Sequence, residues 1–216
     1  AYEGFFYWDD WNKYLEVEDE RGMAKYMKTG SIMFMLKGAD HSKKSLNLFK
    51  EIGIEHEIWD LETLKKKMPI YSHDSYNGTS RPDEDDSFFD KSGDQIEGAV
   101  WTPGSGYVSD PQLATHNLQV ATEAKGGEFL FDAEITEIRQ SNGQIQGVTL
   151  KSGEQIDCKV LVNVAGPHSF IINQMAGVED DMNIKTKALR HEVHHVSSPP
   201  GFDFEKDGVH TSDGDN

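Results

Sequence analysis

The sequence predicts a mixed fold that combines α+β and α/β features in one chain of 216 residues. The first observation is an amphipathic helical pattern over residues 110–127, opened by an aspartate and a proline and closed by two glycines. The second is a series of short apolar runs between residues 128 and 164, separated by turns at Asn142-Gly143 and Ser152-Gly153. The chain is long enough for one large domain or two small ones with a real core.

The first hundred residues predict an aromatic segment, one strand and two helices. Residues 1–30 are rich in aromatic side chains, which predicts either core packing or an interface. An apolar run between two glycines predicts a buried strand within residues 30–38. Helices are predicted over residues 40–53 and 60–69, and each begins with an aspartate that is suited to an N-cap. Residues 81–95 are acidic and without period, which predicts an exposed loop.

From Asp110 onwards the pattern is clearer. One face of the predicted helix over residues 110–127 carries Leu113, Asn117, Val120, Ala121 and Ala124, and its alanines allow close packing. A three-stranded meander follows, and its last apolar strand, over residues 156–164, ends at Ala165-Gly166. Helical character resumes between Pro167 and Gly177.

Charge and composition restrict the partners and the compartment. Lys and Arg number 21 against 38 Asp and Glu, so the net charge is −17 and the surface repels phosphate backbones and anionic lipid. We therefore expect no nucleic-acid partner. No apolar stretch is long enough to cross a bilayer, so we expect no membrane association. Cys158, the single cysteine, excludes an internal disulfide and favours a reducing compartment, the cytoplasm.

Four short segments carry a resemblance to a known family. They are GSGYVSDPQLA, GGEFLFDAEITEI, CKVLVNVAGPHS and ALRHEVHHV. Their order and spacing between residues 20 and 215 resemble the FAD-dependent amine and amino-acid oxidoreductases, a superfamily that includes D-amino-acid oxidase, sarcosine oxidase and dimethylglycine dehydrogenase. The resemblance implies part of a FAD-binding Rossmann-like domain with a β-meander, together with part of an antiparallel-sheet substrate domain.

The same resemblance implies a division into domains. Residues 1–108 would form a portion of the substrate or interface domain, and residues 109–180 a portion of the FAD-binding domain with the helix, the β-meander and the closing strand. Residues 181–216 would return to the substrate domain. The G-x-G-x-x-G signature that binds a dinucleotide phosphate is absent. We therefore expect an internal fragment of a longer enzyme, inactive in isolation.

The resemblance places four residues beside the cofactor. Ile135 would hold the adenine through its main-chain groups. Ala165 and Gly166 would approach the cofactor closely, since small residues at a strand end leave the backbone accessible to a ligand. A helix that begins after Gly166 would point its amide groups at the dinucleotide phosphate. His168 is a further candidate near the cofactor, with a simple capping role as the alternative.

Two residues of the last segment are candidates for the substrate side. Arg190 suits a bidentate contact with a substrate carboxylate, and His191 is predicted to lie near the flavin. Adjacent residues of a strand face opposite sides, so we expect at most one of the two inside the cavity. A surface arginine and a hydrogen-bonded histidine are the alternatives.

Two patterns raise the question of a metal site. His191-Glu192-Val193-His194-His195 spells H-E-x-x-H, which on a helix binds zinc. Two β-branched valines and the absence of an N-cap favour a strand instead, where His191 and His195 would stand about 13 Å apart. Four consecutive acidic residues, 83–86, lack the spacing of an EF-hand, which favours a solvated loop. We therefore expect no bound metal.

The expected function is that of a FAD-dependent oxidoreductase, for which the resemblance implies oxidation of a C–N bond of an amino acid or secondary amine, with hydride transfer to the flavin. The partner would be the small-molecule substrate, and homo-oligomers remain an open alternative. A binding or assembly domain without catalysis is the second hypothesis. A zinc hydrolase that uses HEVHH is the third.

Overall fold

The computed structural model describes residues 2–38, 41–77, 83–188, 194, 196–203 and 210–212. The chain divides into two compact units. The first unit contains Ala1–Gly127 and Ser198–Asn216, and the second contains Glu128–Ser197. The domain division at residues 108 and 180 stays a prediction. Among the described residues, no helix is both long and apolar enough to span a membrane.

The described residues contain both helices and mainly antiparallel strands, which confirms the predicted mixed fold class. The helices are α1 (Tyr2–Asp9), α2 (Trp11–Leu15), α3 (His41–Ile52), α4 (Leu61–Lys67), α5 (Pro111–Ala124) and α6 (Ser169–Met175). Single 3₁₀ turns cover Gly166–His168 and Glu179–Asp181. The strands are β1 (Tyr26–Met27), β2 (Ser31–Met35), β3 (Glu57–Asp60), β4 (Asp74–Tyr76), β5 (Lys91–Gln95), β6 (Gly98–Thr102), β7 (Tyr107–Val108), β8 (Ile135–Ser141), β9 (Gln144–Leu150), β10 (Gln155–Asp157) and β11 (His210–Ser212).

The main sheet of the first unit has the strand order β11-β2-β6-β3. Strand β6 is antiparallel to both β2 and β3, whereas β11 is parallel to β2. Helix α4 packs against β6 and β3. The core beneath it consists of Ile32, Trp59, Leu64, Met68 and Ala99. Strand β2 confirms the strand predicted within residues 30–38.

A pair of stacked tryptophans closes this core. The rings of Trp59 and Trp101 have their centroids 5.1 Å apart. Gly30 precedes β2 with a φ of +76°, and a Cβ atom at this position would overlap the Trp101 ring. The left-handed backbone and the close approach of the ring both require glycine here.

The aromatic start of the chain belongs partly to a second core. Trp8 and Trp11 stack with centroids 4.2 Å apart. Trp11 is buried in a cluster of the first unit that also contains Leu15, Ala24, Ala114 and Ala121. Phe6 and Tyr14 remain exposed. Core packing, one of the two predicted explanations, therefore accounts for Trp11.

Helix α5 confirms the helix predicted over residues 110–127. The Asp110 side chain accepts hydrogen bonds from the main-chain N–H groups of Gln112 and Leu113, each at 2.9 Å. Asn117 and Ala121 of the predicted face are buried. The predicted aspartate cap thus begins the helix, and the predicted face carries its packing.

Asn117 is fully buried within the first unit and uses both ends of its amide. Its Oδ1 accepts from the Trp11 Nε1–H at 3.3 Å and from the Ala24 N–H at 3.0 Å. Its Nδ2 donates to the Asp19 carboxylate at 2.7 Å and to the Gly22 carbonyl at 2.9 Å. One side chain of α5 therefore fixes the segment between α2 and β1.

The second unit contains the predicted meander, with the strand order β10-β9-β8. Asn142 and Gly143 join β8 to β9 with φ values of +52° and +73°. Positive φ at both central residues is typical of the type I′ turn that the Asn-Gly pair predicts. Ile138, Val148 and Leu150 form the buried core of this unit.

Two predictions of secondary structure need correction, and β6, a central strand of the main sheet, carried no prediction. The exposed loop predicted over residues 81–95 contains β5, which pairs with β4 although its side chains are exposed. The strand predicted over residues 156–164 ends at Asp157. Residues 158–164 belong to none of the sheets in the described part of the chain, because no strand there pairs with them through main-chain hydrogen bonds.

Candidate functional site

The candidate site is the turn formed by residues 163–169, NVAGPHS, which we call the NVAGPHS turn. Gly166 has a φ of +58°, which is a left-handed conformation that glycine adopts without penalty. A single 3₁₀ turn over Gly166–His168 follows, in which the His168 N–H donates to the Ala165 carbonyl at 3.2 Å. Helix α6 begins at Ser169, directly after this 3₁₀ turn.

The Asn163 side chain bridges the two ends of the turn. Its Oδ1 accepts a hydrogen bond from the Ala165 N–H at 3.2 Å. Its Nδ2 donates to the Ser169 carbonyl and to Asn173 Oδ1, each at 2.8 Å. A single amide therefore connects the N-terminal end of the turn, the start of α6 and the second turn of that helix.

The middle of the turn is open to a ligand. Ala165, Gly166 and His168 are all exposed. A Cβ atom added at Gly166 would find no other atom within 4 Å, so the space beside this glycine is free. Ala165 and Gly166 are small, which allows a large cofactor to approach the main chain closely. A 3₁₀ turn over Gly166–His168 precedes α6, whereas the sequence predicted a helix directly after Gly166.

The base of the turn is anchored to the meander. Leu161, Ile172 and Ala176 pack against the core of Ile138, Val148 and Leu150. Gln140 of β8 donates to the Ala176 carbonyl at the end of α6, at 2.9 Å. The open turn therefore stands on a packed support within the second unit.

Ile135 lies in the same unit, at the first position of β8. It pairs with Leu150 of β9, and its partly buried side chain packs against the meander core. Nearby, Lys151 pairs with Glu134 at 2.7 Å, and the hydrogen bond with this carboxylate, followed by its charge, raises the pKa of Lys151. Since the Ile135 side chain is used in packing, the proposed contact with the adenine depends on its main-chain groups.

The structure thus brings Ile135, Ala165, Gly166 and His168 into one compact unit, while their cofactor roles stay predictions. The His168 side chain makes no capping hydrogen bond, so the capping alternative finds no support in the geometry. Arg190 and His191 lie outside the described residues. Asn163 was not among the residues predicted from the sequence, although a polar residue within the apolar run VLVNVAG is a signal that could have indicated it.

A metal centre has no ligand set in the part of the chain that the structure describes. There, no group of three or more His, Cys, Asp or Glu side chains lies close enough together to hold a metal ion. His191 and His195 of the H-E-x-x-H pattern lie outside this part. The described geometry therefore adds nothing to the zinc hypothesis.

Comparisons with known proteins identify the family. A family model described as FAD dependent oxidoreductase (DAO) matches residues 6–215. L-proline dehydrogenase from P. horikoshii superimposes with a TM-score of 0.59 at 19% identity, over 82% of this chain and 40% of that protein. L-amino acid deaminase from Proteus vulgaris does so with a TM-score of 0.52 at 16% identity, over 80% of this chain and 35% of that protein. A search of curated proteins gave no match.

These neighbours share the fold, and the chain spans only 35–40% of their length. The family model, in contrast, covers nearly the whole chain, including the NVAGPHS turn and the meander that supports it. The chain belongs to the DAO family of FAD-dependent oxidoreductases.

Proposed function

We propose that the protein oxidises a C–N bond of an amino acid or a secondary amine by hydride transfer to bound FAD. The match of the family model over residues 6–215 carries this proposal. The names of the two structural neighbours, a proline dehydrogenase and an amino acid deaminase, support amino acids as the substrate class. The single cysteine, Cys158, favours a cytoplasmic location.

The chain contributes one wall of the cofactor site in this proposal. Ala165 and Gly166 let the cofactor approach the main chain, His168 stands beside it, and the Ile135 main chain holds the adenine. The bound FAD supplies the chemistry by accepting the hydride. The residues of this chain bind and orient the cofactor and exclude water from it.

Arg190 and His191 form the proposed substrate side. A guanidinium binds a carboxylate through two parallel hydrogen bonds, which fixes both the position and the orientation of an amino acid. His191 would lie on the flavin side of the same segment. Since adjacent strand residues face opposite sides, one of the two carries the larger role.

The first test is the visible absorption spectrum of the purified full-length protein. A flavin band close to one equivalent per chain is expected, as is loss of that band under anaerobic conditions with L-amino acids, D-amino acids or secondary amines. A colourless protein that does not take up added FAD would contradict the proposal.

The substrate anchor has its own test in the full-length protein. Arg190→Gln is expected to raise KM for an amino acid about 10- to 100-fold, because a charge-assisted bond to the carboxylate is lost. The KM for the corresponding amine without a carboxylate is expected to change little. An equal effect on both compounds would exclude Arg190 as the carboxylate anchor.

A further inference from the structure

We propose that Asn163 is a positioning residue, which holds the NVAGPHS turn in the conformation that receives FAD. This inference rests on the proposed function, because it assumes that the turn contacts the cofactor. Asn163 itself need not touch the ligand. It acts through the main chain of Ala165, Gly166 and Ser169.

The side-chain amide of Asn163 is engaged in hydrogen bonds through both its oxygen and its nitrogen. The Ala165 N–H, the Ser169 carbonyl and Asn173 Oδ1 are all within 3.2 Å of it. The bond to Ala165 closes a local turn two residues long, and the bonds to Ser169 and Asn173 tie that turn to α6. These contacts leave little freedom to the main chain between Asn163 and Ser169.

The side chains that flank Asn163 do not fix the conformation of the turn. Val162 and Val164 are 73% and 85% exposed, so the flanking side chains provide no packing that would fix the turn. Apolar packing begins only at Leu161 on one side and Ile172 on the other. Between these two points the hydrogen bonds of Asn163 replace packing as the restraint.

The restraint that Asn163 places on the turn should affect the binding of FAD. An unrestrained turn samples many main-chain conformations. If a ligand binds only one of them, its apparent Kd rises in proportion as the population of that conformation falls. Gly166 adds to this freedom because glycine has a wide choice of φ and ψ. Loss of Asn163 should therefore weaken the binding of FAD while the packed meander stays intact.

The test is a titration of the flavin-free full-length protein with FAD, in which fluorescence quenching is the readout. Asn163→Ala is expected to raise the Kd about tenfold or more, because its three hydrogen bonds are lost. Asn163→Ser keeps an acceptor for the Ala165 N–H and is expected to restore part of the affinity. The visible circular dichroism of bound flavin should change in Asn163→Ala and recover partly in Asn163→Ser.

The matched control is Gln140→Ala, which removes the hydrogen bond at the opposite end of α6. We expect it to lower the unfolding midpoint as Asn163→Ala does, with no change in the Kd for FAD. An unchanged Kd in Asn163→Ala, or an equal rise in both variants, would overturn the positioning role alone. If the wild-type protein does not bind FAD, the proposed function fails and this inference fails with it.

Discussion

At the scale of single residues, Asn117 shows how much of a unit can depend on one polar side chain. A buried amide is stabilising only when its donors and acceptors are satisfied, and each unsatisfied partner adds a desolvation penalty. Here the partners are Trp11 of α2 and three residues between α2 and β1, namely Asp19, Gly22 and Ala24. The side chain thus joins parts of the sequence that are about a hundred residues apart.

Asn117→Leu is expected to lower the free energy of unfolding by about 2–4 kcal/mol, because it leaves the buried N–H groups of Trp11 and Ala24 without their acceptor and removes one hydrogen bond of the Asp19 carboxylate. Urea denaturation followed by tryptophan fluorescence measures the loss. Gln112→Ala, on the exposed side of the same helix, is the control and should change stability by less than about 0.5 kcal/mol. Equal effects from the two substitutions would refute the role of the buried amide.

Gly30→Ala is expected to cost about 3 kcal/mol or more, because the added Cβ meets the Trp101 ring and the backbone is left-handed. Near-ultraviolet circular dichroism should show that the stack of Trp59 and Trp101 is disturbed. Gly53→Ala separates the two causes, since Gly53 has a φ of +75° with free space around it. It should cost only about 1 kcal/mol and leave the tryptophan signal unchanged.

At the scale of elements, capping aspartates determine where helices begin. The Asp60 side chain accepts from the Thr63 N–H at 2.8 Å and opens α4 directly after β3. The hydrogen bonds from the Thr63 side chain and main chain lower the pKa of Asp60 below its ordinary value of 3.8. The ionised carboxylate is therefore the form that stabilises the folded chain.

A lowered pKa in the folded state gives stability that is present above the unfolded value and lost as the pH falls through the folded value. Asp60→Ala should consequently be less stable than the wild type at neutral pH, and the difference should shrink below about pH 4. Asp60→Asn keeps a neutral acceptor and should lose less stability on acidification. Urea denaturation over a series of pH values checks both; a difference independent of pH would refute the ionised cap.

The elements that the sequence predicts well are those with local signals. Asp110 and Pro111 mark the start of α5, and Asn142-Gly143 marks the hairpin, because caps and turns involve residues close together in the chain. Strand β6 carries no such mark. It is a strand because β2 and β3 lie on both of its sides, and pairing between strands distant in sequence is not encoded in any short segment.

The candidate site follows the same rule. The sequence predicts Ala165 and Gly166 as residues beside the cofactor, because small residues at the end of an apolar run leave the main chain accessible to a ligand, and this role stays a prediction. The contact between Asn163 and Asn173 spans ten residues and depends on how α6 folds back. A pattern of residue types does not specify that return, so the restraint on the turn emerges only from the structure.

At the scale of the whole molecule, the net charge of −17 opposes the compact state. Raising sodium chloride from about 20 to about 200 mM should increase the thermal midpoint by roughly 2–5 °C, because salt screens this repulsion. The substitutions Asp180→Asn and Asp181→Asn remove two exposed charges and should reduce the salt dependence. A midpoint that falls with salt would show that attractive ion pairs outweigh the repulsion.

The turn between β8 and β9 also affects how the protein ages. Asn142 and Gly143 are exposed, and glycine shields its own nitrogen poorly from the preceding side chain. In such a pair the main-chain nitrogen of the glycine attacks the asparagine side-chain carbonyl and ammonia leaves. Water then hydrolyses the cyclic imide to aspartate or isoaspartate. The residue pair that makes the hairpin tight is thus a site of slow deamidation. Each event adds one negative charge to an already acidic chain, and the events that give isoaspartate also lengthen the main chain of the turn by one carbon atom.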